Sequence, residues 1–310
     1  MIRCAYKTPA FNQLMSLIHQ LQALLVTTIW GTNFVLIHIG LQELPPFTFA
    51  TLRFVLVAFP LVLFLPKPDI PWKYLIGFGV FIGFGQFGFL FWAMQDNITP
   101  GLASLVVQTQ VFFTIFLAVW CFSESIRPIQ IIALAISFSG LALVGLYTDG
   151  KTTLLGLLMV LVAAFSWACG NLVVKKAGKV NLIAFLAWSS IFSIPPLLLM
   201  TLYIEGSELM LSSIQQASAK AWGVVLWQTV GNTLIGYGLW NSLLHRYPAA
   251  AITPWALLVP VSGMSASAIF LGEILPWWKV LAAILIMGGL IINLLANRSS
   301  SKVHIQSKNT

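Results

Sequence analysis

Ten apolar runs separated by short polar connections dominate this sequence. A helix that crosses the hydrocarbon core of a bilayer needs about 20 mostly apolar residues, and every run is close to this length. Charged residues make up only 8% of the chain, against about 25% in an ordinary soluble domain. The pattern therefore predicts an all-α polytopic membrane protein with ten transmembrane helices. The predicted spans are residues 21–41, 47–65, 72–94, 99–122, 128–147, 154–176, 182–204, 219–244, 249–271 and 277–296.

The basic residues predict how the chain lies in the membrane. When the connections are assigned to alternate sides, all but four of the 16 Lys and Arg residues fall on one side. Lys and Arg in short loops stay in the cytoplasm, so this side, with both termini, is predicted to be cytoplasmic. The exceptions are Lys151, Lys220 and Lys279, on the opposite side, and Arg53, inside the second span. The expected parts are a cytoplasmic segment 1–20, a five-helix repeat 21–147, an extracytoplasmic connection 148–153, a second repeat 154–296 and a cytoplasmic tail 297–310.

The two halves of the chain resemble each other. Four features match in the same order: NFVLIHIG (33–40) with NLVVKKAG (171–178), GFLFW (88–92) with GYGLW (236–240), Glu124 with Glu273, and Gly140 with Gly289. Each half holds five predicted spans, an odd number, so the second half enters the membrane inverted. Inverted repeats place a binding site near the midplane and let one scaffold open to either side in turn. The repeat therefore predicts a transporter that works by alternating access.

Two short stretches match nucleotide-binding patterns outside the structural setting that those patterns need. Gly145–Thr152 (GLYTDGKT) fits G-x-x-x-x-G-K-[ST], which cradles phosphates between a strand and a helix. Here it lies between two spans, where it is expected to form the turn that joins the halves. Gly83–Gly88 (GFGQFG) lies within the third span and predicts close helix packing. ATP is therefore not expected as a partner. Nucleic acid is not expected either, because the basic residues form no stripe.

Several segments carry a resemblance to a known family. WGTNFVLIHIGL, TLRFVLVAFP, TPGLASLVVQTQVFFTI, FSWACGNLVVKK, LLVPV and LGE resemble the EamA family of the drug/metabolite transporter superfamily, over about residues 20–296. The segments are most similar to those of bacterial exporters of O-acetylserine and cysteine. The resemblance implies a secondary transporter that exports these or related amino acids across the inner membrane. Another substrate of the same superfamily, such as a drug, a nucleotide sugar or another amino acid, is the alternative.

Polar and aromatic residues near the middle of the spans are the candidates for substrate binding. A zwitterionic amino acid needs hydrogen-bond donors and acceptors without a net counter-charge, so amides suit it, although amides also link helices in membranes. Asn33 and Asn171 stand out because the repeat relates them. Gln110 stands where relatives in the family often carry a carboxylate followed by proline. The candidates are Trp30, Asn33, Arg53, Gln86, Gln110, Trp167, Asn171, Gln228 and Asn232.

Charged residues at membrane depth bear on the mechanism of transport. Arg53 lies well inside a span, where a charge costs roughly 3 kcal/mol on insertion scales, and it could attract a substrate carboxylate. The alternatives are that it snorkels to the outer face or bonds backbone carbonyls. No span has an interior Asp or Glu. Glu124 and Glu273 lie at span ends, as interfacial anchors or helix-end contacts, and His38 is a weak candidate for proton binding. Proton antiport, facilitated efflux and exchange all stay open.

A membrane-embedded enzyme is the alternative from another functional class. It would need a nucleophile with a base, or metal ligands, at membrane depth. The predicted spans contain no paired carboxylates, no H-E-x-x-H and no His/Asp pair. The three cysteines, Cys4, Cys121 and Cys169, have no metal-ligand spacing. We therefore expect no catalytic residues, no metal and no cofactor, with the lipid bilayer and a small amino acid as the partners.

Overall fold

The protein was examined as a computed structural model, which describes residues 15–122, 128–147, 151–178, 180–247 and 249–306. Every regular element in these ranges is helical. A short helix, Ser207–Gln216, lies in the connection between two of the main helices. The main helices are α1 (Leu17–Leu41), α2 (Pro46–Phe64, with a break after Ala58), α3 (Trp72–Asp96), α4 (Pro100–Cys121), α5 (Pro128–Leu146), α6 (Leu154–Ala177), α7 (Leu182–Glu205), α8 (Ala219–Trp227, Gln228–Ile235 and Gly236–Arg246), α9 (Thr253–Leu271) and α10 (Trp277–Gln306).

Within the described ranges, nine of these helices are long and apolar enough to cross a membrane. Ten spans were predicted, and the helix that does not meet these criteria is α8. Its middle carries Gln228, Thr229, Asn232 and Thr233, which lower its apolar character, and all four side chains are buried. The chain is therefore a polytopic helical membrane protein with at least nine candidate spans. That α8 also crosses the membrane, and that both termini are cytoplasmic, stay predictions.

The boundaries differ from the predicted ones mainly at the C-terminal end. The sequence predicts a tail from residue 297, whereas α10 continues as a helix to Gln306. Glu124 and residues 148–150 of the GLYTDGKT turn lie outside the described residues. The described part of that connection is tied to the first half, because Thr153 N donates to Asn97 O at 2.9 Å. Thr153 Oγ1 also accepts from Gly156 N and so caps the start of α6.

Helices α3 and α8 share an irregularity that the repeat accounts for. Residues Gly79–Gly88 of α3 and Gln228–Ile235 of α8 form π-helices, with i→i+5 hydrogen bonds. Each π-segment ends at or just before the glycine of the matched GFLFW and GYGLW motifs. π-Helical turns inside α-helices often mark functional sites. The two halves thus carry matched irregular segments.

The helix packing also follows the repeat. If the halves are equivalent, each helix corresponds to the one five places later, and each packed pair must map onto another packed pair. Contact of α1 with α9 corresponds to contact of α6 with α4, and contact of α3 with α7 corresponds to contact of α8 with α2. The pairs α2 with α7 and α5 with α10 map onto themselves. All of these contacts are present, so the two-fold relation read from the sequence is reflected in the packing.

Glycines bring several helices close together. Gly140 of α5 and Gly289 of α10, which the repeat relates, face each other's helix: a Cβ on Gly289 would overlap Ser137 and the carbonyl of Ala133. In α3, a Cβ on Gly83 would overlap Ser193 of α7, and one on Gly85 would lie 2.5 Å from Ser166 Oγ of α6. The G-x-G-x-x-G stretch therefore serves helix packing, as small residues in membrane helices commonly do.

Candidate substrate-binding cavity

A cavity of about 370 Å³ lies between the two halves of the bundle. It is bounded by α1, α3, α4, α6, α8 and the start of α9, so both repeats contribute walls. Pockets that bind small molecules typically have volumes of roughly 300–1,000 Å³. Six of the nine predicted residues line it: Trp30, Asn33, Gln86, Trp167, Asn171 and Asn232. Three do not line it: Arg53, Gln110 and Gln228.

Gln228 lies behind Asn33. Asn33 Nδ2 donates to Gln228 Oε1 at 3.3 Å, and Gln228 Nε2 donates to Asn33 Oδ1 at 2.8 Å. Gln228 has no exposed surface. This pair holds the amide of Asn33 in one orientation at the cavity wall, so Gln228 acts on the cavity through Asn33.

Gln110 has a similar relation to Asn171. Asn171 Nδ2 donates to Gln110 Oε1 at 3.0 Å and lies 3.4 Å from Thr114 Oγ1. Both repeat-related asparagines are therefore held by a glutamine, but the glutamines come from different places, α8 for Asn33 and α4 for Asn171. The position equivalent to Gln110 in the second half is Val259, so the cavity is chemically asymmetric.

Aromatic rings form part of the cavity wall on the side of α1, which carries both Trp30 and Asn33. Trp30 packs against Tyr237 and Trp240, with ring centroids 5.3 and 5.2 Å apart. Trp30 Nε1 donates to the carbonyl of Asn232 at 3.3 Å. The indole is fixed closely, because a Cβ on Gly236 would lie 2.5 Å from Trp30 Nε1. Trp167, the other predicted tryptophan, lines the cavity as part of the opposite half.

Sequence reasoning missed Tyr237 and Trp240 as cavity residues. Both belong to the GYGLW motif that revealed the repeat, so the signal was present but was used only for alignment. Gln108 also lines the cavity and donates from Nε2 to Ala256 O at 3.4 Å, which links α4 to α9. These residues add hydrogen-bonding and aromatic surface to the same wall.

Arg53 is enclosed beside the cavity. Its side chain is 1% exposed, and its guanidinium lies over the ring of Phe87, 3.7 Å from the centroid. Arg53 Nη2 donates to Thr233 Oγ1 at 3.2 Å. Among the described residues the guanidinium donates to no backbone carbonyl, and its burial inside the bundle does not fit snorkelling to the outer face.

A second cavity, of about 590 Å³, lies on the predicted outer side and is lined by His38, Lys151, Glu273 and Lys279 among others. Glu273 accepts hydrogen bonds from Gly101 N at 2.9 Å, from Thr99 Oγ1 and from Ser267 Oγ. Lys279 Nζ lies 3.2 Å from Glu273 Oε1, and both side chains are at most 5% exposed. Glu273 is thus a helix-end contact, one of its two predicted roles, that joins α4, α9 and α10. The charge of Lys279, counted among the outer loops, is used inside the bundle.

Comparison with known proteins identifies the family. The sequence pattern of the EamA-like transporter family matches residues 17–146 and again residues 154–295. The chain belongs to the EamA-like transporter family. The double match supports the internal repeat, and membership makes this EamA-like protein a multi-pass membrane transporter rather than an enzyme.

Relatives of this EamA-like transporter include two proteins named probable amino-acid metabolite efflux pumps. The one from Salmonella typhimurium is 40% identical over 89% of this chain and 94% of the relative. The one from Escherichia coli is 39% identical over 92% and 97%, respectively. A solved structure, titled only as the crystal structure of a protein, superposes with a TM-score of 0.60 over 90% of this chain and 98% of its own. At 17% identity that structure shows a shared fold alone.

Proposed function

We propose that this EamA-like transporter exports small amino-acid metabolites across the bacterial inner membrane, with cysteine and O-acetylserine as the first candidate substrates. The names of the two relatives near 40% identity favour amino-acid metabolites as the class. The choice of cysteine and O-acetylserine rests on the resemblance of the sequence segments to exporters of those compounds.

One observation carries the proposal. Asn33 and Asn171, at equivalent positions of the two repeats, both line the same cavity of about 370 Å³ between the halves. An alternating-access transporter has its substrate site at this interface, because rocking of one half against the other then exposes the site to each side in turn. The second cavity lies towards the predicted outer end of the same bundle and shares no lining residue with this one.

The lining of the cavity suits a small zwitterion. Amides supply donors and acceptors for both an ammonium and a carboxylate, and the faces of Trp30 and Trp240 offer aromatic surface for a cation. The buried amide partners Gln110 and Gln228 hold the two asparagines in position, which reduces the entropy lost on binding. The candidate binding residues are those that line the cavity, with the two glutamines as positioning residues.

Movement between the halves has a structural basis in α3 and α8. Each helix contributes a π-segment to the cavity wall: Gly79–Gly88 supplies Gln86 and Phe87, and Gln228–Ile235 supplies Asn232. A π-segment can convert towards α-helix with a shift of one residue, which rotates the residues beyond it. We infer that these matched segments are the bending points of alternating access.

Transport by the purified protein tests the proposal. Proteoliposomes are loaded with labelled cysteine or O-acetylserine, and efflux down the gradient is followed without ATP. Liposomes that are loaded in the same way but lack the protein are the control. The expected result is saturable efflux of at least one of the two. Repeating the assay with and without a pH gradient distinguishes proton antiport from facilitated efflux. Absence of flux for every amino acid tested would refute the proposal, and flux of lipophilic cations alone would favour the superfamily's drug exporters.

A further inference from the structure

Arg53 has more hydrogen-bond donors than partners. Its Nη2 donates to Thr233, but Nε and Nη1 have no hydrogen-bond partner although both are buried. Buried polar atoms are almost always hydrogen-bonded, so two unsatisfied donors on one side chain call for an explanation. A guanidinium presents its donors in a planar fork that matches a carboxylate.

No carboxylate in the described part of the chain pairs with Arg53. Its neighbours are aromatic or hydroxyl-bearing: the ring of Phe54, 5.2 Å from the guanidinium carbon, the closer ring of Phe87, and Thr233. A buried charge without a counter-charge carries a desolvation cost of several kcal/mol. The protein therefore maintains a costly positive charge that its own described acids do not offset.

The space beside the guanidinium is small. A cavity of about 20 Å³, lined by Arg53, Ser189, Ser190 and Ser193 among others, adjoins it. That volume holds one water-sized group but no amino acid. Ser189 and Ser190 donate to carbonyls of their own helix, and Ser193 donates to Gly79 O, so these three hydroxyls have used their donors.

Phe87 and Tyr237 separate this small cavity from the central one, because both side chains line both spaces. Phe87 belongs to the π-segment of α3, and Thr233, which holds Nη2, belongs to the π-segment of α8. The two irregular segments thus meet on Arg53, one through the cation–π contact and one through a hydrogen bond. Any movement of these segments changes the access of a ligand in the central cavity to the free side of the guanidinium.

We propose that Arg53 binds the carboxylate of the transported amino acid, and that Phe87, which lies between Arg53 and the central cavity, closes the way to it in the conformation described here. In the loaded state, Phe87 moves aside and the carboxylate accepts from Nε and Nη1. Arg53 then makes a free carboxylate a requirement for transport and excludes amines of the same shape. This inference rests on the proposed function and specifies its substrate class.

Cysteine and cysteamine, which differ only by the carboxylate, provide the test. Inhibition of labelled-cysteine flux by each compound is measured in proteoliposomes, and binding of each to the detergent-purified protein is measured by tryptophan fluorescence. For the wild type, cysteine is expected to compete and bind at least about tenfold more tightly than cysteamine, as a charge-assisted bidentate contact of more than 1.4 kcal/mol implies. In Arg53→Gln the preference should fall to within about threefold. Arg53→Lys, which keeps the charge without the fork, should retain only part of the preference.

Arg246→Gln is the matched control, because Arg246 is exposed at the end of α8 and contacts His19. It should keep the wild-type preference. An unchanged preference in Arg53→Gln, or equal binding of cysteine and cysteamine by the wild type, would overturn the inference while leaving amino-acid export in place. Preferential binding that depends on Arg53 without any flux would keep the inference and refute the proposed function. Absence of binding of both compounds would overturn the inference, whereas the proposed function is refuted only by absence of flux for every amino acid tested. Because Arg53→Gln removes a buried charge, the midpoint of thermal unfolding of this variant is expected to be unchanged or higher.

Discussion

Asn33 and Gln228 hold each other through two hydrogen bonds across the interface of α1 and α8, one in each direction. Only Asn33 lines the cavity; Gln228 is fully buried behind it. The pair therefore separates two roles that the sequence presented as one class of mid-span amide. Asn33 is the group that a substrate can touch, and Gln228 fixes its orientation.

Substitution of the two residues should have different consequences for transport. Asn33→Ala removes a hydrogen-bonding group from the cavity and is expected to cut flux about tenfold or more. It also leaves the buried amide of Gln228 unpaired, which should cost about 1–3 kcal/mol of stability. Gln228→Ala removes only the support and should raise the KM by about 3- to 10-fold at a nearly unchanged kcat. The double variant should be no worse than Asn33→Ala, because the two act as a unit. Concentration-dependent flux in proteoliposomes measures all three.

The matched control is another interhelical amide pair, outside this cavity, of which Asn293 is buried and Gln130 half-buried. Gln130 Nε2 of α5 donates to Asn293 Oδ1 of α10 at 3.1 Å. Asn293→Ala removes a comparable interhelical bond and should leave the KM for the substrate unchanged. If Asn293→Ala raised the KM as much as Gln228→Ala does, a general loosening of the bundle would explain both effects.

The ion pair of Glu273 and Lys279 should matter more for stability than for binding. Glu273→Gln removes the carboxylate that faces a buried ammonium group and that also accepts from the start of α4. Breaking one side of such a pair typically costs about 3–5 kcal/mol, whereas apolar replacement of both sides is often neutral. The midpoint of thermal unfolding is expected to fall in Glu273→Gln and to recover partly in Glu273→Gln/Lys279→Met. A double variant less stable than the single one would contradict this account.

Three glycines test the packing of the helices that join the halves. Gly289→Ala would push a methyl group into Ser137 and the Ala133 carbonyl, and overpacking of this kind costs about 1–3 kcal/mol. Gly140→Ala meets neighbours at 2.9–3.0 Å and should cost less. Gly288→Ala has nothing within 4 Å of the added methyl group and is the adjacent control. Thermal unfolding should therefore rank Gly289→Ala as the least stable and Gly288→Ala as indistinguishable from the wild type.

The connection between α1 and α2 carries a pH-dependent contact. Glu43 accepts from the backbone N–H and hydroxyl of Ser218, each at 2.8 Å, and these bonds lower the pKa of its carboxyl below the usual 4.5. Because the folded state favours the ionised form, the contribution to stability is present above pH 4.5 and is lost as the pH falls through the lowered pKa. Ser218→Ala should therefore lower the unfolding midpoint at pH 7, and the difference should shrink below about pH 4. A difference independent of pH would refute this origin.

Much of the fold could be predicted because membrane helices leave a direct trace in the sequence. Apolar length located the helices, and matched motifs related the halves. Hydropathy alone does not support α8 as a span, because polar residues in its middle lower its apolar character. These residues are buried inside the bundle. The π-segments could not be predicted, because neither the apolar run of α3 nor the polar middle of α8 carries a local sequence signal that distinguishes a π-helix from an α-helix.

The candidate site was less predictable, for a physical reason. Mid-span amides can line a cavity or link helices, and only the rotation and neighbours of each helix decide which. Asn33 and Gln228 are chemically alike in the sequence but differ in exposure to the cavity. Lys279 appeared as a loop charge because its partner, Glu273, comes from a separate helix end. The repeat was the most useful guide, since it selected the two asparagines that do line the cavity.

The central claim is that a small amino acid occupies the cavity between the repeats, and protection of a cavity residue from chemical labelling tests it most directly. Ala256 lines this cavity. In a background with Cys4, Cys121 and Cys169 replaced by serine and with flux retained, Ala256→Cys is labelled by a small methanethiosulfonate reagent with and without O-acetylserine, which carries no thiol. Gln216→Cys, on the exposed helix Ser207–Gln216, is the control. Saturating O-acetylserine should slow labelling at residue 256 at least about fivefold, in line with occupancy at several times the Kd, and leave that at residue 216 unchanged. An unchanged rate at residue 256, in a variant that still transports O-acetylserine, would contradict the account.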